Sequence, residues 1–529
     1  MIKKLLFMLC AAIGCAAQTT PNLNLNLPTS GGDDGTWGTL LNSNFSSLDS
    51  FLSGGAPLPT LSVSGAISVG SCSGCGTSSL PATVIYVAPG ASQSAIQAIL
   101  SAATAGEEIW FTGTYTACGL TLAASYVRLR GLDTGGSTIQ CATASSPVLT
   151  VSGSNGDEVS GIDFKHITNT PTCPGGNGTS TCGDGLQIAG GTYGSKIHDI
   201  KYDFNYNGIA LGYTSYGEFS NSRGEYNQNH GTVFVMSATN KTMQWQVSRV
   251  LNQQNLGNGF DMTCPSSFNS VQTPAPYITG WSAAYGNVGY GFNFSCSAAT
   301  TSGIADVFLG NVFASQNNQS GIHVDVGPNG GRNFILTGFY SEQAGTYTGI
   351  AGFAQTSQTA TDVGYGVEIT SACDNTPAPV ITGGVVWQNS YSGIIVSCPG
   401  TSISNVSSDD NGLDGASPQT EAGVTINASN VKVDSGYQKE ETYGVYVLSG
   451  DTPDVSIVCD AGSISNADCV FSGTQPTNGF QHWVGQIKVI SSTGAPTLAC
   501  SNGWQYHRTD SGNFSTEYVC KNNAWGAIN

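Results

Sequence analysis

A glycine followed by an apolar–x–apolar triplet recurs ten times along the chain. The repeat glycines are separated by 21 to 45 residues, and they are Gly185, Gly208, Gly231, Gly259, Gly291, Gly321, Gly366, Gly393, Gly423 and Gly444. Period-two alternation predicts a short strand at each site, with the flanking apolar residues inward and the middle residue outward. Units of this length, repeated this often, are typical of a solenoid in which each coil packs on its neighbours.

Two further registers accompany the glycine. The first is an apolar–Ser/Thr–Gly/Asn triplet about ten residues earlier, as in Phe219-Ser220-Asn221, Ile278-Thr279-Gly280, Leu336-Thr337-Gly338, Ile381-Thr382-Gly383 and Ile403-Ser404-Asn405. The second is an asparagine four residues before the glycine, at Asn227, Asn255, Asn287, Asn317 and Asn389. Asparagines stacked at the same turn of successive coils can hydrogen-bond to one another along the solenoid axis. They thereby satisfy amides that would otherwise be buried without hydrogen-bond partners. Three registers kept in phase favour a parallel β-solenoid over a propeller or an antiparallel sandwich.

The segment IQAILSAATAGEEIWFTGTYTACGLTLAASYVRLRGL resembles the opening of pectin-lyase-like right-handed β-helices, with a capping helix and two coils. The "N…GIxV" units are similar to the parallel β-helix repeats of that superfamily. The resemblance covers residues 83–475 and implies an all-β, single-stranded right-handed parallel β-helix with an N-terminal capping helix. It leaves the activity open, because this fold serves lyases, hydrolases, epimerases, phage tailspikes and adhesins.

The two ends of the chain do not follow the repeat. Residues 1–17 read as a signal peptide, with basic Lys3 and Lys4, an apolar stretch and a small-residue cleavage site; lipoprotein processing at Cys15 is the alternative. Residues 18–56 predict a leader with a short amphipathic helix, which either packs on the next domain or forms an oligomerising stalk. Residues 57–82 predict a linker, and residues 476–529 a small disulfide-bracketed β module, similar to terminal modules of phage-like and secreted fibre proteins. That module covers the open end of the helix or, alternatively, contacts carbohydrate through its aromatic residues, Trp504, Tyr506 and Trp525.

Composition constrains the partners and the compartment. The net charge of −18 disfavours nucleic acid and anionic membranes, and no apolar run beyond residue 17 approaches the ~20 residues of a membrane span. Beyond the signal peptide, fourteen cysteines remain, which predicts local disulfides in an oxidising compartment. They form sequence-near couples: 72/75, 118/141, 173/182, 264/296, 373/398, 459/469 and 500/520. For Cys72 and Cys75, metal binding or redox chemistry is an alternative to a disulfide. The chain is therefore expected to be secreted, periplasmic or on the cell surface.

We call the repeat glycine and the apolar–x–apolar triplet after it the repeat tetrad. Stacked coils would place the x residues of these tetrads in one outward row. Four consecutive rungs of this row carry polar or ionisable side chains: Asp261, Asn293, His323 and Glu368. Asp325 lies two residues beyond His323, on the same face. Rung and strand spacings put Asp325 and Glu368 ~8 Å apart, within the ~6.5–9.5 Å typical of inverting glycoside hydrolysis. We therefore predict Asp261, His323, Asp325 and Glu368 as catalytic candidates; ordinary solvated residues are the alternative.

The register of that row depends on the 45-residue step from Gly321 to Gly366. Gly366 is the preferred rung because VGYGVEI repeats VGYGFNF at residues 288–294; Gly349 is the alternative. With Gly366 as the rung, the inserted segment, roughly 341–362, emerges beside His323 and Glu368. Such a loop on a rigid scaffold is a common place for catalysis.

A second concentration of carboxylates, Asp409, Asp410 and Asp414, surrounds Asn411-Gly412. Oxygen ligands around a tight turn suit Ca²⁺, so these residues are the candidate metal site; a plain polar turn is the alternative. Asp409-Asp410 also resembles the aspartate pair of polygalacturonase-type hydrolases, although that family's downstream motifs are missing. Pectate-lyase chemistry needs an arginine or lysine base beside calcium ligands, and Arg223 and Arg249 are out of phase with Asp261.

The function predicted from the sequence is recognition or processing of an extracellular polysaccharide along the side of the solenoid. If the chain is an enzyme, a glycoside hydrolase is favoured over a lyase. The rival is a non-catalytic surface fibre, adhesin or tailspike-like binding protein. The oligomeric state, including a homotrimer, is left open.

Overall fold

The computed structural model describes residues 83–133, 135–152, 155–168, 170–236, 244–264, 273–274, 276–296, 304–325, 334–345, 364–370, 378–413, 421–439, 443–448, 454–459, 471–472, 489–492, 505–508, 517–521 and 524–528. The predicted leader and linker, and parts of the other segments, lie outside these residues. Within them, no helix is long and apolar enough to span a membrane.

One sheet of thirteen parallel strands contains all ten glycine repeats, with two further strands before them and one after them, and we call it the glycine sheet. Its strands, in spatial and chain order, are Leu120–Leu122, Leu149–Val151, Leu186–Ile188, Ile209–Leu211, Thr232–Phe234, Phe260–Thr263, Phe292–Ser295, Ile322–Asp325, Val367–Ile369, Ile394–Val396, Ala422–Ile426, Tyr443–Val447 and Phe471–Ser472. Each strand pairs in parallel with the strand one coil away. The repeat therefore corresponds to one coil of a parallel β-helix, as the sequence predicts.

The other strands of the coils form a 23-stranded sheet made of two columns. The first column contains Val84–Val87, Glu108–Phe111, Arg128–Gly131, Glu158–Ser160, Lys196–His198, Tyr277–Thr279, Phe308–Gly310, Ile335–Thr337, Val380–Thr382 and Ser402–Ser404. The second column contains Thr114–Thr116, Thr138–Cys141, Asp163–His166, Lys201–Asp203, Ser282–Tyr285, Val312–Ser315, Tyr340–Glu342, Val385–Trp387 and Ser407–Asp409. Four longer strands run through both columns: Gly217–Glu225, Trp245–Gln253, Lys432–Lys439 and Asp454–Cys459.

The corner between the two columns explains the apolar–Ser/Thr–Gly/Asn register. The third residue of the triplet has a positive φ, at 49° for Asn221, 67° for Gly280 and 53° for Asn405. Glycine and asparagine tolerate this left-handed conformation better than other residues do. The triplet therefore marks the place where the chain turns from one column into the next.

The predicted asparagine ladder is present at the turn before the glycine sheet. Amide Nδ2 of Asn227, Asn255 and Asn287 each donates to Oδ1 of the next asparagine at 2.8 Å, ending at Asn317. The ladder resumes where Nδ2 of Asn389 donates to Asn411. All these asparagines except Asn411 have no exposed surface. The ladder satisfies buried amides that water cannot reach.

The repeat glycine is required by close approach to the neighbouring coil. A Cβ on Gly185 would lie 2.5 Å from the carbonyl oxygen of Gly208 and 2.6 Å from Nδ2 of Asn205. The same crowding recurs at Gly366, against Gly393 and Asn389. The repeat glycines thus lie where adjacent coils approach too closely for a Cβ, and five of them face an asparagine: Gly185, Gly231, Gly259, Gly291 and Gly366.

The one helix among the described residues, Gln93–Ala102, caps the first coil, as predicted. Ser92 is its N-cap and accepts from the backbone N–H of Ala95, while Ile96 and Leu100 point into the core. The amide of Gln97 donates to the carbonyl of Thr121 at 3.0 Å and accepts from its N–H at 2.8 Å. Gln97 therefore replaces the missing neighbour strand and protects the first edge of the glycine sheet.

Local disulfides link cysteines that are close in the sequence. Cys118–Cys141, Cys173–Cys182 and Cys264–Cys296 pair as predicted. Cys398 is also disulfide-bonded, but its predicted partner and the other couples involve residues outside the described part of the chain.

A four-stranded sheet lies near the C-terminus, separate from the coil sheets. It contains Val489–Ser492, Gln505–Arg508, Glu517–Lys521 and Ala524–Ile528, and its last three strands are antiparallel. Strands of this type agree with a small β module in this region. The boundaries of that module stay a prediction.

Candidate functional site

The predicted outward row on the glycine sheet exists. Asp261 pairs with Asn293, Asn293 with His323, and His323 with Glu368, on four consecutive strands. The pairing of His323 with Glu368 confirms Gly366 as the next rung. The polar row is bounded by Val233 on one side and by Ile395 on the other.

The row is far more buried than outward-pointing positions suggest. Asp261, Asn293 and His323 are 3%, 6% and 8% exposed, whereas Glu368 and Asp325 are partly exposed. The ring of Tyr290 stacks on His323 with centroids 4.3 Å apart and an interplanar angle of 14°. The alternative of ordinary solvated side chains is therefore wrong for these three residues, because side chains outside the strands cover the sheet face.

Asn293 links Asp261 to His323. Its Nδ2 donates to Oδ1 of Asp261 at 2.7 Å, and its Oδ1 lies 2.7 Å from Nδ1 of His323. A carboxylate only accepts hydrogen bonds, so the amide must present its oxygen to the imidazole. Nδ1 of His323 is consequently the donor, and Nε2 is the unprotonated nitrogen of the neutral ring.

Burial lowers the pKa of His323 below its usual 6.5, although the charges of Glu368, Asp325 and Asp261 oppose that shift. The ring is therefore neutral at pH 7. Within the described residues, no group hydrogen-bonds Nε2. His323 thus offers a free, unprotonated nitrogen beside two carboxyl groups, which is the arrangement of a proton acceptor.

Asp261 is enclosed by hydrogen-bond donors. Its Oδ1 accepts from Nδ2 of Asn258 at 2.6 Å and from the hydroxyl of Thr263 at 3.1 Å, in addition to Asn293. Nε2 of His230 lies 3.7 Å from Oδ2. Nδ1 of His230 accepts from the backbone N–H of Asn258, so the proton of the neutral ring is on Nε2, facing Asp261. This carboxylate is suited to holding Asn293 in place.

The two remaining carboxyl groups are more available. Oε2 of Glu368 accepts from the hydroxyl of Ser320 at 2.5 Å. Oδ1 of Asp325 is buried and has no hydrogen-bond partner among the described residues. Burial, and then the charges of Glu368 and Asp325, raises the pKa of Tyr290 to about 12. Tyr290 therefore stays a neutral phenol beside the carboxyl pair at physiological pH.

Several side chains around the row were not among the sequence candidates. His230, Asn258, Tyr290 and Ser320 each immediately precede a repeat glycine, and Tyr365 does so on the next rung. Because that position stacks from coil to coil like the row itself, it forms a second polar column beside it. The residue before the repeat glycine is the signal that would have found them.

The predicted metal site is only partly described. Asp410 has a positive φ of 52° and accepts from Nε2 of Gln388 at 3.1 Å, while Asn411 belongs to the asparagine ladder. Asp414 lies outside the described residues. In the part of the chain that the structure covers, no three His, Cys, Asp or Glu side chains are grouped to hold a metal ion. Calcium binding at Asp409, Asp410 and Asp414 stays a prediction.

No family model and no curated protein sequence matches the chain. Among solved structures, the Agl-KA catalytic domain is 14% identical, with 69% of this chain and 64% of that domain covered and a TM-score of 0.42. The chain thus spans just under two thirds of that domain. The mannuronan C-5 epimerase AlgE6 A-module of Azotobacter vinelandii is 14% identical, covering 70% and 94%, with a TM-score of 0.39. The podoviral tailspike that serves as receptor-binding protein of bacteriophage Det7 is 9% identical, covering 84% and 97%, with a TM-score of 0.40. By the registers of its own sheets, the chain is a parallel β-helix protein.

Proposed function

We propose that this protein binds an extracellular polysaccharide and hydrolyses it beside His323, Asp325 and Glu368. The observation that carries the proposal is a neutral histidine whose free Nε2 lies next to two carboxyl groups. Three disulfides support an oxidising, extracytoplasmic setting.

The chemistry requires an acid and a base on opposite sides of a glycosidic bond. Glu368 lies one rung from His323 and Asp325 lies two residues along the strand, so standard strand spacings separate the backbones of Glu368 and Asp325 by ~8 Å, which supports carboxyl groups at the separation of an inverting enzyme. That separation leaves room for the water of an inverting reaction. Glu368 protonates the leaving oxygen, and Asp325 activates the water, assisted by Nε2 of His323.

Asp261 and Asn293 serve the same reaction without touching the substrate. Asp261 fixes the Asn293 amide, and Asn293 fixes the proton of His323 on Nδ1. Protonation of His323 at low pH would remove its free nitrogen. Activity is therefore expected to fall on an acid limb below the ordinary histidine pKa of 6.5, because burial lowers the pKa of His323.

A non-catalytic fibre or adhesin is the second candidate function. The observation that favours it is the burial of Asp261 and Asn293 and the hydrogen bond between them, which a purely structural row would also show. In that case the coils would bind glycans without turnover.

Product release from a panel of neutral and acidic polysaccharides separates the two functions. Glu368→Gln and Asp325→Asn are each expected to lower hydrolysis by about 100-fold or more, since proton transfer typically contributes ~10²–10⁴-fold. Glu218→Gln is the control, because Glu218 is an exposed residue of the first column. Undiminished hydrolysis in Glu368→Gln would reject the site, and absence of turnover by the parent protein on every glycan would favour the fibre.

A further inference from the structure

A groove lies on the outer face of the first column, near the N-terminal end of the coils. Its volume is about 440 Å³, and Trp110, Arg130, Ser160 and His198 line it from four successive strands. None of these residues belongs to the row around His323, which lies on the glycine sheet. The groove is therefore a separate feature of the molecule.

Small residues keep the groove open. Gly131 and Gly161 line it beside Ser160. A Cβ on Gly131 would collide with the carbonyl of Gly161, so the backbones of these two coils meet closely. The larger side chains of Trp110 and His198 lie on the outer two of the four strands and form the two sides of the groove.

Arg130 is held in the groove by carboxylates. Its Nε lies 3.2 Å from Glu108, and its Nη1 lies 2.8 Å from Glu158 and 3.0 Å from the hydroxyl of Ser160. Nη2 has no acceptor among the described residues. A fixed guanidinium with free N–H groups is a preorganised donor for hydroxyl or ether oxygens.

His198 is held as firmly. Its Nε2 lies 2.8 Å from Glu158 and its Nδ1 lies 2.7 Å from Asp199. Burial lowers the pKa of His198, but hydrogen bonds to Asp199 and Glu158 outweigh it and raise the pKa above 6.5. With two carboxylates as its partners, the ring acts as a double donor and is rigidly positioned.

Trp110 supplies an apolar wall. It is partly exposed, and its ring centroid lies 6.4 Å from that of Tyr86, which is 67% exposed. An aromatic wall with a few convergent, fixed polar groups is the usual composition of a small-molecule site. A pyranose ring matches it, because it has one apolar face and a rim of hydroxyl groups.

The charge of the groove selects among sugars. Glu108, Asp133 and Asp199 line it together with Arg130 and His198, and Glu158 forms ion pairs with both of these residues. The local charge is therefore negative, and so is the whole chain at −18. Uronic acids and sulfated sugars would be repelled.

We propose that this groove is a second glycan-binding site, which holds a non-anionic sugar residue with its apolar face on Trp110. Arg130 donates to its oxygens, and the Asp199 and Asp133 carboxylates accept from its hydroxyls. The site needs no catalysis, so it does not depend on the hydrolysis proposed above. It would anchor a polysaccharide away from the His323 row.

The test is binding of the full-length protein to a glycan array carrying neutral, amino-sugar and uronic-acid oligosaccharides, followed by calorimetric titration of each bound neutral oligosaccharide. Trp110→Ala is expected to weaken this binding at least tenfold. Trp281→Ala is the matched control, since Trp281 is 70% exposed and outside the groove, and it should bind within twofold of the parent. Unchanged thermal melting shows that Trp110→Ala is folded. If Trp110→Ala does not fold, Trp110→Phe, which keeps a ring, and Asp199→Asn are used in its place. Each is then expected to bind the oligosaccharide more weakly than the parent and the Trp281→Ala control.

Three outcomes would overturn the groove as a glycan site: no array glycan binds, only uronic-acid glycans bind, or the groove variants bind like the parent. Glu368→Gln separates this proposal from the hydrolysis, because it should retain groove binding while losing turnover. Turnover without Trp110-dependent binding would reject the proposed glycan site in the groove but not the proposed hydrolysis. Trp110-dependent binding without turnover would reject the hydrolysis alone.

Discussion

At the scale of single residues, the site depends on one amide. Asn293 is an unremarkable polar residue in the sequence, yet its two ends contact a carboxylate and an imidazole and thereby define which nitrogen of His323 carries the proton. The position of Asn293 in the row could be predicted from alternation alone. Its hydrogen bonds could not, because they depend on side-chain rotation and on the burial created by Tyr290.

Replacing Asn293 with Asp tests this arrangement. The new carboxylate would accept from His323 while facing Asp261, so the imidazolium is favoured and the pKa of His323 is expected to rise. NMR titration of the histidine ring nitrogens measures the change. Asn427→Asp is the control, because Asn427 is exposed and its side chain bonds only to Ser397 among the described residues. An unchanged His323 titration would show that Asn293 does not set the state of the ring.

At the scale of the repeating element, glycine and asparagine act together. Both registers could be predicted from the sequence, because the glycine recurs ten times and five of these glycines have an asparagine at the same spacing of four residues. The sequence could not show why the glycine is needed, since the crowding arises between coils more than twenty residues apart. It also missed the polar column before the glycine, whose residues vary from His to Asn to Tyr.

Gly185→Ala tests the close approach between coils. Its Cβ would overlap the Gly208 carbonyl and the Asn205 amide, and overpacking of this kind costs about 1–3 kcal/mol. Gly113→Ala is the matched control, because a Cβ there would meet nothing closer than 3.8 Å. Chemical denaturation should show a clear loss of stability for Gly185→Ala only. Equal stability of both variants would mean that the coils can separate at little cost.

At the scale of the whole molecule, stability depends on carboxyl groups that folding has removed from water. Asp184 has no exposed surface, and burial raises its pKa to about 6 despite hydrogen bonds from Gln187 and Asn207. A folded-state pKa above the unfolded value means that protonation favours folding. This contribution is fully present below about pH 3.8 and is lost as the pH rises through about 6.

Asp184→Asn should remove this pH dependence. On acidification from pH 7 to pH 5, the parent is expected to gain about 1 kcal/mol of unfolding free energy relative to the variant. Denaturant titrations at the two pH values measure the difference, and Glu218→Gln controls for the loss of a surface carboxylate. A constant difference between parent and variant would show that Asp184 does not gain a proton in this range.

The register of the glycine sheet has a practical consequence for engineering. Gln187 and Ala210 are 23 residues apart, and His323 and Glu368 are 45 residues apart, yet both pairs are direct neighbours on adjacent strands. The length of a connection therefore does not alter the alignment of the two strands that it joins. A foreign peptide inserted between a strand of the glycine sheet and the next strand of the first column should therefore project from the coil as an additional loop. The coils on either side of it should keep their alignment.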